Sequence, residues 1–312
     1  MQMIARELRP FSDPGLTASQ EVRASVSPRS LTTVWLNTGT LCNLSCENCY
    51  IESSPKNDRL AYLRREDVQA ILAEIREEQL PVAEIGITGG EPFMNPEILE
   101  ILDDCLAAGL QVLVLTNAMR PMMKVSERLA GLNAEYPGQL TIRVSVDHYD
   151  RVLHEEERGR RSWQPTLDGL LWLAGNGFRL HVAARTRWGD TEAALRRGFT
   201  ALFAQLNLDL DADDPSALVL FPEMDESAEV PEITTACWGI LDVNPADMMC
   251  ASARMVVRRR EAEVPEVVAC TLLPYEHAFS LGATLVESLK PVALNHPHCA
   301  RFCVLGGGSC SG

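Results

Sequence analysis

Apolar residues recur along this chain in two alternating rhythms. Short, nearly continuous apolar runs at 33–38 (TVWLNT), 83–87 (AEIGI), 111–116 (QVLVLT), 140–146 (LTIRVSV), 178–184 (FRLHVAA) and 217–221 (ALVLF) predict six strands. Segments of helical period lie between them. Over 64–79, Val68, Ile71, Leu72 and Ile75 share one face; 95–108 would be capped by Asn95 and opened by Pro96; further helical stretches fall near 122–133, 166–175 and 191–206. Apolar strands separated by helices predict an α/β chain, a parallel sheet covered by helices with its functional loops at the carboxyl ends of the strands. The loops after the first two strands matter most on this reading.

The rhythm is absent at both ends. Residues 1–30 carry Pro10, Pro14, Gly15 and Pro28 without periodicity and read as an extended lead-in. Beyond Pro222, the stretch 222–231 (PEMDESAEVP) is an acidic, Pro-bounded connector, so the chain divides into 1–30, 31–222 and a C-terminal module at 232–312. In that module 232–245 predicts a helix, 254–260 and 264–269 predict a hairpin, and 295–312 is a Cys, His and Gly-rich tail with little helical or strand character. The module is too poor in periodic apolar residues to build a core easily, and a metal centre would supply the missing stabilisation.

Composition narrows the chemistry. The 312 residues include 28 Lys+Arg and 43 Asp+Glu, a net charge of −15, with 46% hydrophobic content, which excludes a disordered or fibrous chain. The acidic surplus repels phosphate backbones and no basic patch offsets it, so no nucleic-acid partner is expected. No apolar stretch has the length of a membrane helix, and Met1–Gly15 lacks the apolar segment of a signal peptide; no membrane association and a cytoplasmic location are expected. In a reducing compartment clustered thiols read as metal ligands or redox groups rather than disulfides. Of ten cysteines, Cys42, Cys46 and Cys49 cluster near the start, Cys105 stands alone, and Cys237, Cys250, Cys270, Cys299, Cys303 and Cys310 lie in the last quarter.

The run TLCNLSCENCY places Cys42, Cys46 and Cys49 in a CxxxCxxC arrangement directly after the first strand. A structural zinc or an ordinary four-iron cluster takes four protein ligands; three leave one metal position open to an exogenous group. With Thr88-Gly89-Gly90-Glu91-Pro92 at the end of the second strand, which looks like a GGEP motif, the chain resembles the radical S-adenosylmethionine (radical SAM) superfamily. The resemblance covers about 33–221 and implies a partial (β/α)6 TIM-like barrel. It also implies a 4Fe-4S cluster on the three cysteines, with S-adenosylmethionine on the fourth iron. The Gly89 and Gly90 amide groups with Glu91, next to Pro92, would bind the ammonium of the methionine moiety, and Asn117 would meet the ribose. Ser145 and Asp147 would face cofactor or substrate, His154 and Arg158 form a familiar H-x-x-x-R pair, and Arg185 would bind the methionine carboxylate. Asn48 stands before the third cysteine, where relatives often have an aromatic residue, so Tyr50 would supply the ring facing adenine; strand five lacks the GxIxGxxE-like motif of some members. Without the resemblance, TGGEP is also an ordinary turn, Asn117, Ser145 and Asp147 capping groups, His154 and Arg158 loop pins, Arg185 a structural ion pair and the cysteines a zinc knuckle. Cys105 reads as core.

Cys250 and Cys270 flank the predicted hairpin, and Cys299, Cys303 and Cys310 follow in the tail. This resembles the twitch or SPASM auxiliary-cluster modules, although C-x3-C-x6-C departs from the seven-cysteine pattern. A ligand set of Cys250, Cys270, Cys299 and Cys303, with Cys310 as competitor, would hold one auxiliary 4Fe-4S cluster. Zinc, with His296 or His298 beside Cys299, is the alternative; Cys237 is a buried or spare thiol, and Arg258, Arg259 and Arg260 read as a charged edge strand.

The resemblance implies an enzyme in which the reduced first cluster cleaves S-adenosylmethionine to a 5′-deoxyadenosyl radical, which takes hydrogen from a substrate, while the auxiliary cluster assists oxidation or binds substrate. An electron donor such as flavodoxin or ferredoxin is implied. The lead-in is too short to fold alone as a leader-peptide-binding domain, which favours a small-molecule substrate over a peptide. A non-catalytic iron–sulfur carrier is the alternative from a different class, and TGGEP with Arg185 argues against it.

Overall fold

The computed structural model describes residues 9–223 and 229–307. Its elements run β1 (Ser25–Val26), β2 (Thr33–Asn37), α1 (Arg65–Glu77), β3 (Glu84–Thr88), α2 (Ile98–Ala107), β4 (Gln111–Thr116), α3 (Arg120–Met123), α4 (Ser126–Glu135), β5 (Leu140–Ser145), α5 (Arg151–Arg158), α6 (Trp163–Gly175), β6 (Arg179–Arg185), α7 (Glu192–Gln205) and β7 (Leu218–Phe221). There follow α8 (Cys237–Leu241), α9 (Met249–Ser252), β8 (Ala253–Val257), β9 (Glu266–Val268), β10 (Ser280–Gly282) and β11 (Val292–Ala293). One sheet has the order β10-β9-β8-β2-β3-β4-β5-β6-β7, parallel throughout from β8 to β7, with β9 and β10 added antiparallel; β1 pairs with β11 separately.

Alternation along each strand splits the core in two. Val34 and Leu36 of β2, with Val112 and Val114 of β4, pack under the helices, whereas Trp35 and Leu113 point to the other face. Gly86 stands opposite Trp35 in the β2–β3 register, where a Cβ would lie 2.4 Å from the indole ring; the bare backbone lets that ring cross β3. On this second face Trp35 joins Met249, Met255, Val257, Leu272, Phe279 and Phe302 of the C-terminal segment. That segment therefore builds its core by extending the sheet through β8 and sharing Trp35, and no metal is needed to account for its apolar packing.

The lead-in is stapled to the same region. Arg23, its side chain fully buried, donates to the carbonyls of Asp13, Leu16 and Leu294 and pairs with Glu232, while Ala24 and Val26 enter the second core.

Several local expectations change. The helix predicted from Asn95 starts at Ile98. Buried Asn95 instead donates to the carbonyls of Thr38 (3.3 Å) and Leu63 (2.8 Å), pinning the turn after β3 to the segment after β2. The stretch predicted over 122–133 is broken into α3 and α4, and the helix predicted over 232–245 shrinks to α8. The tail contains a π-helical segment, Cys299–Leu305. Arg258 is no exposed edge: it binds Asp67 (2.9 Å) and the carbonyls of Ala262 and Glu263, and its own carbonyl accepts from Ala61.

Candidate functional site

The loop after β2 carries Cys42, Cys46 and Cys49 to the carboxyl end of the sheet, where all three line a cavity of about 140 Å³. Gly89, Gly90, Asn117, Ser145, Arg158, Arg185 and Tyr50 line it too, so the structure brings ten of the residues singled out in the sequence to one place. A second cavity of about 140 Å³ adjoins it, sharing Tyr50, Ser145, Arg158 and Arg185 and adding Asp147, Ala183, Ala184, Phe221 and Leu272.

Gly89 and Gly90 are required by the cysteine loop itself. A Cβ on Gly90 would lie 2.2 Å from the Leu41 carbonyl oxygen, and one on Gly89, at φ +139°, 2.6 Å from that of Gly39. The Gly90 amide donates to the Gly39 carbonyl (2.8 Å), so that N–H is already spent. Glu91 also departs from its expected place. Its buried carboxylate turns to the end of β4, accepting from Thr116 Oγ1 (2.8 Å), the Asn117 amide (2.9 Å) and the Phe93 amide (3.2 Å); burial pushes its pKa up against these bonds. Neither Glu91 nor Pro92, which opens the turn Pro92–Met94, lines either cavity. Asn117 donates to Asn43 Oδ1 (3.0 Å), and its amide nitrogen lies 4.0 Å from Cys42 Sγ.

The cationic side is heavily compensated. Arg158 pairs with Asp147. Arg185 Nη1 donates to Glu157 (2.9 Å) and to the Asn48 carbonyl (2.9 Å), and its Nε lies 3.1 Å from Glu223. The expected pairing of Arg185 with a ligand carboxylate thus meets two carboxylates of the chain already in position. Burial pushes the Cys42 thiol up to about 12 and raises Cys46, with Arg158 opposing both. Such thiols ligate when a metal's charge replaces the proton.

Sequence reasoning missed Glu157, Arg187 and the helix that carries Glu157. Asp150 caps α5 by accepting from the Val152 (2.7 Å) and Leu153 (3.2 Å) amides, a signal present in the sequence as an Asp ahead of RVLHEEER. His154, also on α5, is buried against Trp163 and lines neither cavity.

In the C-terminal segment Cys250, Cys270, Cys299 and Cys303 line one small cavity of about 20 Å³, walled by Met249, Leu273, Phe279 and Leu294. The donor set suits a thiolate-bound cluster, while the space is that of about one water. Cys310 lies outside the described residues. His296 and His298 face each other at 4.7 Å and do not line this cavity, Cys237 accepts from the Thr234 amide (3.4 Å), and Cys105 sits in the core under α2. Among the described residues no three His, Cys, Asp or Glu side chains are placed to hold a single metal ion. Among them, too, no helix is long and apolar enough to cross a membrane.

Residues 36–185, from β2 to the end of β6, match the Radical SAM superfamily model. The chain carries a radical SAM domain. Members of the superfamily are enzymes of radical-based transformations. The chain is 31% identical over 143 residues to the antilisterial bacteriocin subtilosin biosynthesis protein AlbA of Bacillus subtilis, covering 46% of this chain and 30% of that one. It is 30% identical over 147 residues to the GTP 3′,8-cyclase of Microcystis aeruginosa, covering 44% and 42%. Among solved structures, Streptococcus suis SuiB bound to S-adenosylmethionine superposes with a TM-score of 0.59 at 12% identity, covering 81% of this chain and 63% of that one, and shows the same fold. The matches to AlbA and to the cyclase thus span less than half the length of these two curated relatives. The radical SAM domain implies a 4Fe-4S cluster and S-adenosylmethionine, and three thiols lining one cavity together with polar groups are a donor set that fits them.

Proposed function

We propose that the protein is a radical SAM oxidoreductase or transformase of the cytoplasm that binds a 4Fe-4S cluster through Cys42, Cys46 and Cys49 and S-adenosylmethionine beside it. When bound, this pair supplies a 5′-deoxyadenosyl radical that abstracts hydrogen from substrate. The observation that carries the reading is the convergence of three thiols on a cavity also walled by Gly89, Gly90, Ser145, Arg158 and Arg185. Arg158 and Arg185 would face the methionine carboxylate, with Glu223 the carboxylate that it displaces; Asn117 and Ser145 would meet the ribose and Tyr50 the adenine. Glu91 would act by holding the end of β4 under the site. The adjoining cavity, walled by Leu115, Ala183, Ala184, Phe221, Pro222 and Leu272, would exclude water around a small, largely apolar reacting group.

A small molecule is the substrate this volume favours. A peptide is the second reading, favoured by a groove of about 460 Å³ along β7 that shares Phe221 and Pro222 with the adjoining cavity, so that an extended chain in the groove would present one side chain to the site. The four C-terminal thiols would hold an auxiliary 4Fe-4S cluster, and the reductant would be a flavodoxin or ferredoxin type of protein. Anaerobic reconstitution followed by dithionite and S-adenosylmethionine tests the reading: 5′-deoxyadenosine forms in the wild type and not in Cys46→Ala. No 5′-deoxyadenosine from the wild type, with either substrate class present, would favour the carrier. Iron and sulfide near eight each per chain would mark two clusters and near four would remove the auxiliary one, on the order expected for four-iron centres.

A further inference from the structure

We infer that Glu157 is the positioning residue for the loop that carries Cys46 and Cys49, and that Asn48 is its counterpart on that loop. This rests on the reading of that loop as a cluster-binding one. Glu157 is 1% exposed and lies 109 residues away from Asn48 in sequence, yet it accepts from both backbone amides and from the side-chain amide that Glu47 and Asn48 present. Its backbone carbonyl accepts from the Glu47 amide (2.9 Å), Oε1 from the Asn48 amide (3.0 Å) and Oε2 from Asn48 Nδ2 (3.0 Å). The Asn48 carbonyl accepts from Arg185 (2.9 Å), which itself binds Glu157, and Arg187 closes the other carboxylate oxygen at 2.7 Å.

A buried carboxylate is stable only when its lone pairs are filled, and here two guanidiniums and the loop fill them. Burial pushes Glu157 up, but the Asn48, Arg185 and Arg187 contacts outweigh it and hold the carboxyl below its usual range. The middle of the loop is therefore fixed by α5 and β6 before any iron arrives, which lowers the ordering cost of placing two thiolates at once. Asn48, rather than an apolar ring, suits this position because its side-chain amide donates to the second carboxylate oxygen beside Arg187.

Glu157→Gln tests this, since glutamine offers one acceptor to four donors. In the metal-free chain, amide exchange at Asn48 should accelerate about tenfold while that at Glu47, held by the backbone carbonyl, stays protected. In the reconstituted protein, iron should pass to a chelator about tenfold faster, and the exchanged pair Asn48→Asp with Glu157→Gln should recover most of the loss. Unchanged exchange at Asn48 and unchanged iron release in Glu157→Gln would overturn the proposal. So would loss of protection at Glu47 and Asn48 together, which marks a merely structural role for α5. Should Glu157→Gln not fold, Asn48→Ala, which removes the side-chain donor to Oε2 and leaves the carboxylate paired with both arginines, should also release iron faster, and unchanged release there would overturn the proposal. A wild type that takes up no iron but shows the exchange difference would defeat the radical SAM reading and leave the clamp standing.

Discussion

Replacing Gly90 by alanine puts a methyl group 2.2 Å from the Leu41 carbonyl oxygen, 2.6 Å from its carbon and 2.8 Å from the Thr40 oxygen. Ordinary contacts of this kind lie near 3.5–4 Å, so one backbone must retreat by about 1 Å or more. No side chain can yield, because all three neighbours are main chain. The retreat would break the Gly90 to Gly39 and Glu91 to Leu41 hydrogen bonds, about 1 kcal/mol each, on top of an overpacking cost of about 1–3 kcal/mol. The expected loss is about 3–5 kcal/mol, a large share of a typical domain's 5–15 kcal/mol. Because Leu41 precedes Cys42, the same shift moves the first of the three thiols. Urea unfolding of the metal-free chain, with iron content after reconstitution, reads both effects. Gly131→Ala is the control: it lies inside α4 with nothing within 4 Å of its added Cβ and should stabilise by about 0.5–1 kcal/mol. A Gly90→Ala protein with the wild-type urea midpoint and full iron would refute the argument.

Burial holds the His154 imidazole neutral, with its pKa pushed down to about 3, whereas the unfolded chain binds that proton near 6.5. The unfolded state therefore gains protons first on acidification: the contribution is complete above pH ~6.5 and declines by about 1.4 kcal/mol per unit below it, about 2 kcal/mol at pH 5. Urea midpoints at pH 7 and pH 5 should show His154→Leu with a pH dependence smaller by that amount, and equal slopes would contradict the assignment. Arg254, 1% exposed, donates to the carbonyls of Cys250 (2.5 Å), Ala253 (2.7 Å), Ser288 (3.1 Å) and Lys290 (3.3 Å). Arg254→Met should cost about 3 kcal/mol or more by stranding these acceptors, read as a lower thermal midpoint; a change under about 1 kcal/mol would mean that water replaces the guanidinium.

The six parallel strands were legible because each is an apolar run bounded by polar turns, and their ends moved by one residue at most. Helix α5 was not, since its buried residues are His154 and Glu157 while Val152 is 71% exposed, the reverse of an apolar stripe. The hairpin β8–β9 was legible from local alternation, but the parallel pairing of β8 with β2 joins residues some 220 positions apart and leaves no local mark. At the site, spacing showed the cysteines and the glycines. What it concealed was that the glycines serve the cysteine loop, that Glu91 turns to β4, and that Glu157 and Asn48 meet across the chain, because each depends on which backbone group is already occupied.

The account stands on an iron at the Cys42–Cys46–Cys49 centre that the polypeptide leaves open. Electron paramagnetic resonance of the reduced, anaerobically reconstituted protein, recorded before and after adding S-adenosylmethionine, addresses this directly. A cluster signal that changes on addition, and that is absent from Cys42→Ala, is predicted. A signal that the cofactor leaves unaltered would contradict the account.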